Sequence, residues 1–289
     1  MSTAIKTPAD AQQRKQSNTF GVLLRQWRAQ RKQSQLALSV LSGVSQRHIS
    51  FLESGRAQPS RAMVLQLGEA LQCSLRDRNA LLSAAGFAPV FSARPLDDES
   101  MSLVRQGLEL SLNHHEPYPA MVVDGNWQLL MHNEAAKRFL ALLGEPDSLW
   151  PSVNSSVGEP NIMRLTFHPR GLQPFVRNWE EAAQHMLWRL RRETQDDPAN
   201  ARLSALYREV CAYEGVPELD SPGQQTPGLP LLSLEIDVGS QILRVFTLIS
   251  RFGTAQDITA EDLRIETFLP ADEATAAFFK SLSEADVAE

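Results

Sequence analysis

One stretch of 27 residues constrains this chain more than any other: SQLALSVLSGVSQRHISFLESGRAQPS, from Ser34 to Ser60. Ser34 and Ser45 stand where a hydroxyl accepts a bond from the free amides that open a helix. Gly43 ends the first helix, and Gly55 suits the left-handed position after the second. The spacing predicts short helices over 34–41 and 46–54 with a tight turn between them. The flanks read as helix too. Phe20, Leu23, Leu24 and Trp27 recur at i, i+3, i+4 and i+7, one apolar face. Pro59-Ser60 opens another helix, with Val64, Leu67 and Leu71 as its stripe. A fifth runs over about 76–85 and ends at Gly86. Residues 18–87 are therefore expected to be an all-α, five-helix domain. The polar residues 1–17 are expected to be an unstructured tail, or a basic arm through Arg14 and Lys15.

Two helices joined so tightly need small residues where they cross. Ser39 is that residue, Gly43 is the turn and Val44 is the apolar plug. Ile49 and Leu52 point inward from the second helix, so Gln46 and Arg47, at its exposed start, point outward. A helix of this kind enters the major groove of DNA with its first residues at the base edges. Arg pairs well with guanine and Gln with adenine. Ser45, Ser50 and Phe51 complete the expected reading edge, Phe51 as a contact for a thymine methyl. Gln35 and Arg56 are placed for phosphate; His48 faces phosphate or solvent. Charge supports this. Residues 1–91 hold 12 Lys and Arg against 4 Asp and Glu, whereas the remainder holds 16 against 30. A basic head on an acidic body suits a nucleic-acid-binding part joined to something different.

Residues 88–100, APVFSARPLDDES, read as a linker. A helix over about 101–113 opens the second domain. Two strands flank Asp124-Gly125-Asn126, with Trp127, Leu129 and Met131 alternating after the turn. Asn133 caps a helix to about 143; residues 145–160 read as a loop; helices follow at about 174–195 and 199–212. Residues 215–230 read as another loop. Leu232, Leu234, Ile236 and Val238 lead into a Gly239-Ser240 turn and a returning strand. A last strand over 263–269 alternates Leu263, Ile265, Thr267 and Leu269 against Arg264 and Glu266. The order implies an α+β domain, an antiparallel sheet with helices on one face.

On Ser34-Gln35, Leu38, Gly43-Val44-Ser45, Ile49-Ser50, Leu52-Glu53, Gly55-Arg56, Pro59-Ser60 and Leu67, residues 18–87 resemble the DNA-binding domain of the phage-repressor (Xre/Cro) helix-turn-helix family. The resemblance implies binding to palindromic operators in double-stranded DNA as a homodimer. Ser39 and Gly68 depart from the alanines usual there. Leu36, Val40 and Leu41 make their helix unusually apolar, either as loose core or as a contact surface. Residues 101–283 resemble the ligand-binding domain of MmyB-like transcription regulators, a PAS-like fold. Pro119-Ala120, Trp127, Asn133-Glu134-Ala135-Ala136, Phe167-His168-Pro169, Asn178-Trp179-Glu180-Glu181-Ala182-Ala183 and Leu190-Arg191 carry that likeness. It implies a sensory cavity for a small apolar or fatty-acid-like molecule. Trp127, Phe139, Phe167, Trp179, Met186 and Tyr207 are candidate lining or ordinary core. His168 orients a carboxylate or carbonyl, or serves as a loop histidine.

Other chemistries lack their residues. His114-His115-Glu116 has no HExxH or cysteine ligand set to complete a metal site. Cys73 and Cys211 form no CxxC pair, as expected for a reducing compartment. There is no GxSxG elbow, P-loop or GxGxxG before a helix. No enzyme activity and no cofactor are expected. Neither a signal peptide nor a membrane span is legible, so the expected location is cytoplasmic. The leading expectation is a ligand-responsive, DNA-binding transcriptional regulator. The alternative keeps DNA binding and makes the second domain only a dimerisation or protein-interaction module.

Overall fold

The computed structural model describes residues 8–144, 146–153, 160–219 and 231–285. The chain divides into two compact units: Met1–Pro95 with Thr254–Glu261, and Leu96–Gly253 with Asp262–Glu289.

The first unit holds α1 (Pro8–Gln30), α2 (Gln35–Ser42), α3 (Gln46–Glu53), α4 (Arg61–Ala70) and α5 (Leu75–Ala84). Serine caps set four of the five starts. The hydroxyls of Ser34, Ser45, Ser60 and Ser74 accept from the amides of Ala37, His48, Met63 and Asp77 at 3.0–3.3 Å. Gly43 closes α2 at φ 69°, a left-handed position that glycine occupies without a Cβ penalty. The core is Phe20, Leu24, Leu38, Ile49, Leu52 and Leu67, all fully buried. Leu36, Val40 and Leu41 are not loose core: they stand exposed on α2.

The start of α1 corrects the expected tail. The helix begins at Pro8, so residues 8–17 are helical. Proline is pre-organised for a first helical position, and Ala, Gln, Arg and Lys are good helix formers. The side chains of Arg14 and Lys15, and residues 1–7, lie outside the described residues. The expected linker is in part fastened to this unit. Asn79 on α5 accepts from the amides of Val90 and Phe91 and donates to the Phe91 carbonyl at 2.7–3.1 Å. The later segment 254–261 joins the same unit. There the Ile258 amide donates to the Ser92 carbonyl, and the Leu75 amide donates to Glu261, both at 2.8 Å.

The second unit begins with a 3₁₀ turn (Glu99–Met101) and α6 (Ser102–His114). Then come β1 (Ala120–Val123), β2 (Leu129–His132), α7 (Glu134–Ala141), α8 (Pro146–Val153) and α9 (Ile162–Phe167). They are followed by α10 (Trp179–Asp196), α11 (Ala201–Cys211), β3 (Leu234–Asp237) and β4 (Ile242–Ser250). After α12 (Ile258–Asp262), which belongs to the first unit up to Glu261, come β5 (Arg264–Pro270) and α13 (Glu273–Ala285). The five strands form one antiparallel sheet in the order β2-β1-β5-β4-β3.

Strand β1 is buried on both sides. Met121 and Val123 enter the main core with Phe139, Phe167, Leu187 and Phe279. Ala120 and Val122 meet Leu108 and Leu112 of α6. Most helices thus cover one face, while α6 covers β1 from the other. Asn133 joins these parts from a buried position. Its side-chain oxygen accepts from the amides of Ala120 and Ala136, and its amide donates to the carbonyls of Leu112 and Tyr118.

Several expectations change. Trp127 is not a strand residue: it sits in the turn at φ 64°, with its ring fully buried. Residues 146–153 form α8 inside the expected loop, opened by Pro146 at the first helical position. The helices α9, α12 and α13 go beyond the expected elements; α9 is only six residues long, too short for a periodic signature. Much of the expected loop 215–230 lies outside the described residues. The alternation expected in β5 is present, and the structure decides which of its faces is buried. Arg264, Glu266 and Phe268 are its buried positions.

Candidate functional site

The first candidate surface is the start of α3. The Ser45 cap fixes where the helix begins, and burial of Ile49 and Leu52 fixes its rotation. Gln46 and Arg47 consequently face solvent, as does Arg56 beyond the helix. The Arg47 guanidinium lies 5.4 Å from the centre of the Phe51 ring. That contact pre-orients a cation at the exposed edge without consuming its hydrogen-bond donors. Ser50 and Phe51 are half-buried.

Behind α3 lies a brace that the sequence reading did not identify. Arg28 on α1 grips Glu53 at the end of α3 through Nε (2.7 Å) and Nη2 (3.1 Å), and its Nη1 donates to the Gln33 carbonyl. Gln35 adds a bond to Glu53 at 2.8 Å. Gln35 is therefore engaged inside the unit in this structure. The Glu53 side chain is only 6% exposed, so the pair is screened little by solvent. The hydrogen bond to Glu53 raises the Arg28 pKa above its ordinary value. The brace fixes the angle at which α3 leaves α1. Gly21 brings the two helices together: a Cβ there would run into the Leu52 carbonyl oxygen and meet that of Glu53 at 2.7 Å.

The second candidate is a cavity of about 190 Å³ in the other unit, walled by α9, α10, β3, β4 and β5. Its apolar side includes Met163, Leu172, Met186, Leu234, Phe246 and Phe268. Its polar side is Thr166, His185, Arg189, Thr247 and Glu266. Pockets for drug-sized molecules usually exceed about 300 Å³. This one fits something smaller.

Of the seven residues expected from sequence, Met186 lines the cavity. Trp127 lies behind it, with its indole nitrogen donating to Glu193 at 2.8 Å. Phe139 packs on Phe268 and Phe279, each at 6.1 Å between ring centres. Phe167 meets Trp179 edge-on at 5.4 Å, and Trp179 donates to the Gly215 carbonyl. His168 meets Tyr213 edge-on at 5.0 Å, and desolvation lowers its pKa. Tyr207 is half-buried against the main core. The cavity instead uses Arg189 and Glu266, which the sequence reading missed. Two charges at alternate positions of one strand, Arg264 and Glu266, were the available signal. Such a pair reads as a solvent face until the opposing helix is known to carry Arg189 and Glu193.

His115, Glu116 and Cys73 have structural duties. The His115 ring bonds to the Phe268 carbonyl at 2.9 Å. Glu116 accepts from the Ala135 amide and pairs with Arg138. Burial pushes the Cys73 thiol up to about 11, well away from reactivity at neutral pH. Among the described residues, no three His, Cys, Asp or Glu side chains cluster as a metal site, and no helix is long and apolar enough to cross a membrane.

Two family models match the chain. Residues 19–81 match a helix-turn-helix domain. Residues 104–282 match the MmyB-like transcription regulator ligand binding domain. No curated protein matches.

Proposed function

We propose, from the premise that the chain belongs to the MmyB-like transcription regulators, that it binds a palindromic operator as a homodimer and responds to a small apolar molecule held in the cavity. DNA recognition is assigned to residues 18–87, through Gln46 and Arg47 at base edges, with Ser45, Ser50 and Phe51 beside them. Arg56 serves phosphate; Gln35 does so only by exchanging its bond to Glu53. Residues 101–283 hold the ligand. Neither matched family is catalytic, and we assign the protein no reaction. Its place is the cytoplasm, with the DNA it reads.

One observation carries this reading: the start of α3 is exposed, while the residues behind it are braced. A ligand that favours one arrangement of the dimer shifts operator occupancy by its differential affinity. Selection of bound duplexes from a random pool, using the full-length protein, tests it. Two inverted half-sites about 10 base pairs apart are expected. A single asymmetric site refutes the dimeric reading. Affinity should fall steeply with added salt as counterions return to phosphate.

A second reading, in which residues 101–283 serve only dimerisation, draws support from Leu103 and Leu110. They stand exposed one heptad apart on α6. Native mass spectrometry separates the two: an apolar adduct on the dimer favours sensing, and a clean dimer that no apolar compound stabilises favours association alone.

A further inference from the structure

Two ion pairs link α10 to β5, and they differ. Glu193 closes on Arg264 at 2.8 Å and also accepts from the Trp127 indole at 2.8 Å. One helical turn earlier, and two residues further along the strand, Arg189 stands 4.0 Å from Glu266. Only this open pair lines the cavity. Arg189 makes no hydrogen bond to the described residues, and its Nε is enclosed without an acceptor. Its guanidinium is nevertheless held in place, 4.5 Å from the centre of the Trp127 ring. The Glu266 side chain is 6% exposed, and Arg189 and the Thr247 hydroxyl favour its charged form.

The Arg189 side chain is a quarter exposed and lines the cavity, so its Nη groups, which no acceptor among the described residues occupies, stand open to a ligand carbonyl. Glu266 then sets what the rest of the head group must be. The charged groups around it are Arg189, Glu193 and Arg264, with His185 on the cavity wall. Two arginines against two glutamates balance before any ligand enters. An ionised carboxylate on Arg189 would add an uncompensated negative charge beside Glu266, where little water screens it. Burial already pushes the Glu266 carboxyl upward against the pull of Arg189.

We propose that this end of the cavity selects an uncharged head that both accepts and donates: a carboxamide, or an undissociated carboxylic acid, on a short apolar chain. The carbonyl oxygen accepts from Arg189, and the N–H or O–H donates to Glu266. The inference rests on reading the cavity as the ligand site.

Calorimetric titration of the full-length protein with octanamide and octanoate tests it, at about pH 8, where a free carboxylic acid is ionised. Octanamide should bind at least about tenfold more tightly. Lowering the pH towards the acid's own pKa should recover the bound acid about tenfold per unit. Glu266→Gln removes the charge and keeps an acceptor. It should strengthen octanoate about tenfold and change octanamide by less than about threefold. Arg189→Lys keeps the charge and loses the planar fork; it should weaken octanamide about tenfold. That variant carries the test if Glu266→Gln does not fold. Octanoate binding more tightly than octanamide to the native protein, or a preference unmoved by Glu266→Gln, overturns the proposal. Equal binding of octanamide, octanoate and 1-octanol overturns it too, while leaving the cavity as a ligand site. If none of the three binds the folded protein, the cavity reading fails and this inference fails with it.

Discussion

The start of α3 and the cavity against β5 solve opposite problems. At the start of α3 the Gln46 and Arg47 side chains are exposed, adjacent in sequence and without a hydrogen bond to the described residues, while the rigid parts sit behind them as the Arg28–Glu53 brace. In the cavity Glu266 is buried and Arg189 half-buried, and the two come from elements far apart in the chain. A surface that meets a large external partner keeps its donors in water until binding. A cavity for a small molecule must hold its polar groups already desolvated, and so needs partners for them. The difference is one of hydration: outside, water serves an unsatisfied donor at little cost, whereas inside the cost stands until an acceptor is supplied.

Four variants test this contrast. The largest effect is expected for Glu53→Ala. It strands Arg28 without its partner and should cost about 3–5 kcal/mol in chemical denaturation, with operator binding lost in parallel. Retained stability would show that the brace is dispensable. The counterpart in the other unit is Asn133→Ala. It removes four hydrogen bonds at a buried position and should cost about 3 kcal/mol. Thermal unfolding of that variant is the check, and an unchanged midpoint would deny Asn133 its joining role. Gly21→Ala forces a methyl into the α3 backbone and should cost about 2–3 kcal/mol in urea. Alanine is the better helix former, so a gain in stability would mean that α1 and α3 do not meet as described. The smallest change in stability is expected for Arg47→Ala, within about 0.5 kcal/mol. Its effect should fall on one base step instead, about 1–3 kcal/mol of discrimination. Equal weakening across all operators would assign Arg47 to phosphate.

The two regions were not equally legible. The caps at Ser34 and Ser45, the turn at Gly43 and the rotation of α3 were all readable, because each depends on residues within one or two helical turns. The cavity was not. Six of the seven aromatic, histidine and methionine candidates stand away from its wall, since size and apolarity mark a core residue as readily as a pocket residue. The strand β5 shows why. A period of two identifies two faces without saying which is inside. Ile265 and Thr267 are the less polar set, yet they are only half-buried. Burial of Arg264 and Glu266 is possible only because α10 brings Glu193 and Arg189 to meet them.

By itself, then, the sequence determined the elements whose physics is local: the helices over 18–87, their caps and left-handed glycines, the exposed Gln46 and Arg47, the Gly239 hairpin and the α+β order of the remainder. Tertiary structure alone decided the rest: that residues 8–17 continue α1, that Glu53 belongs to Arg28, that 254–261 joins the first unit, and that the inward face of β5 is the charged one. The physical reason is range. Capping, turn geometry and amphipathic rotation act over a few residues and leave a signature at fixed spacing. The sign of a buried charge's free energy depends on a partner that any part of the chain can supply.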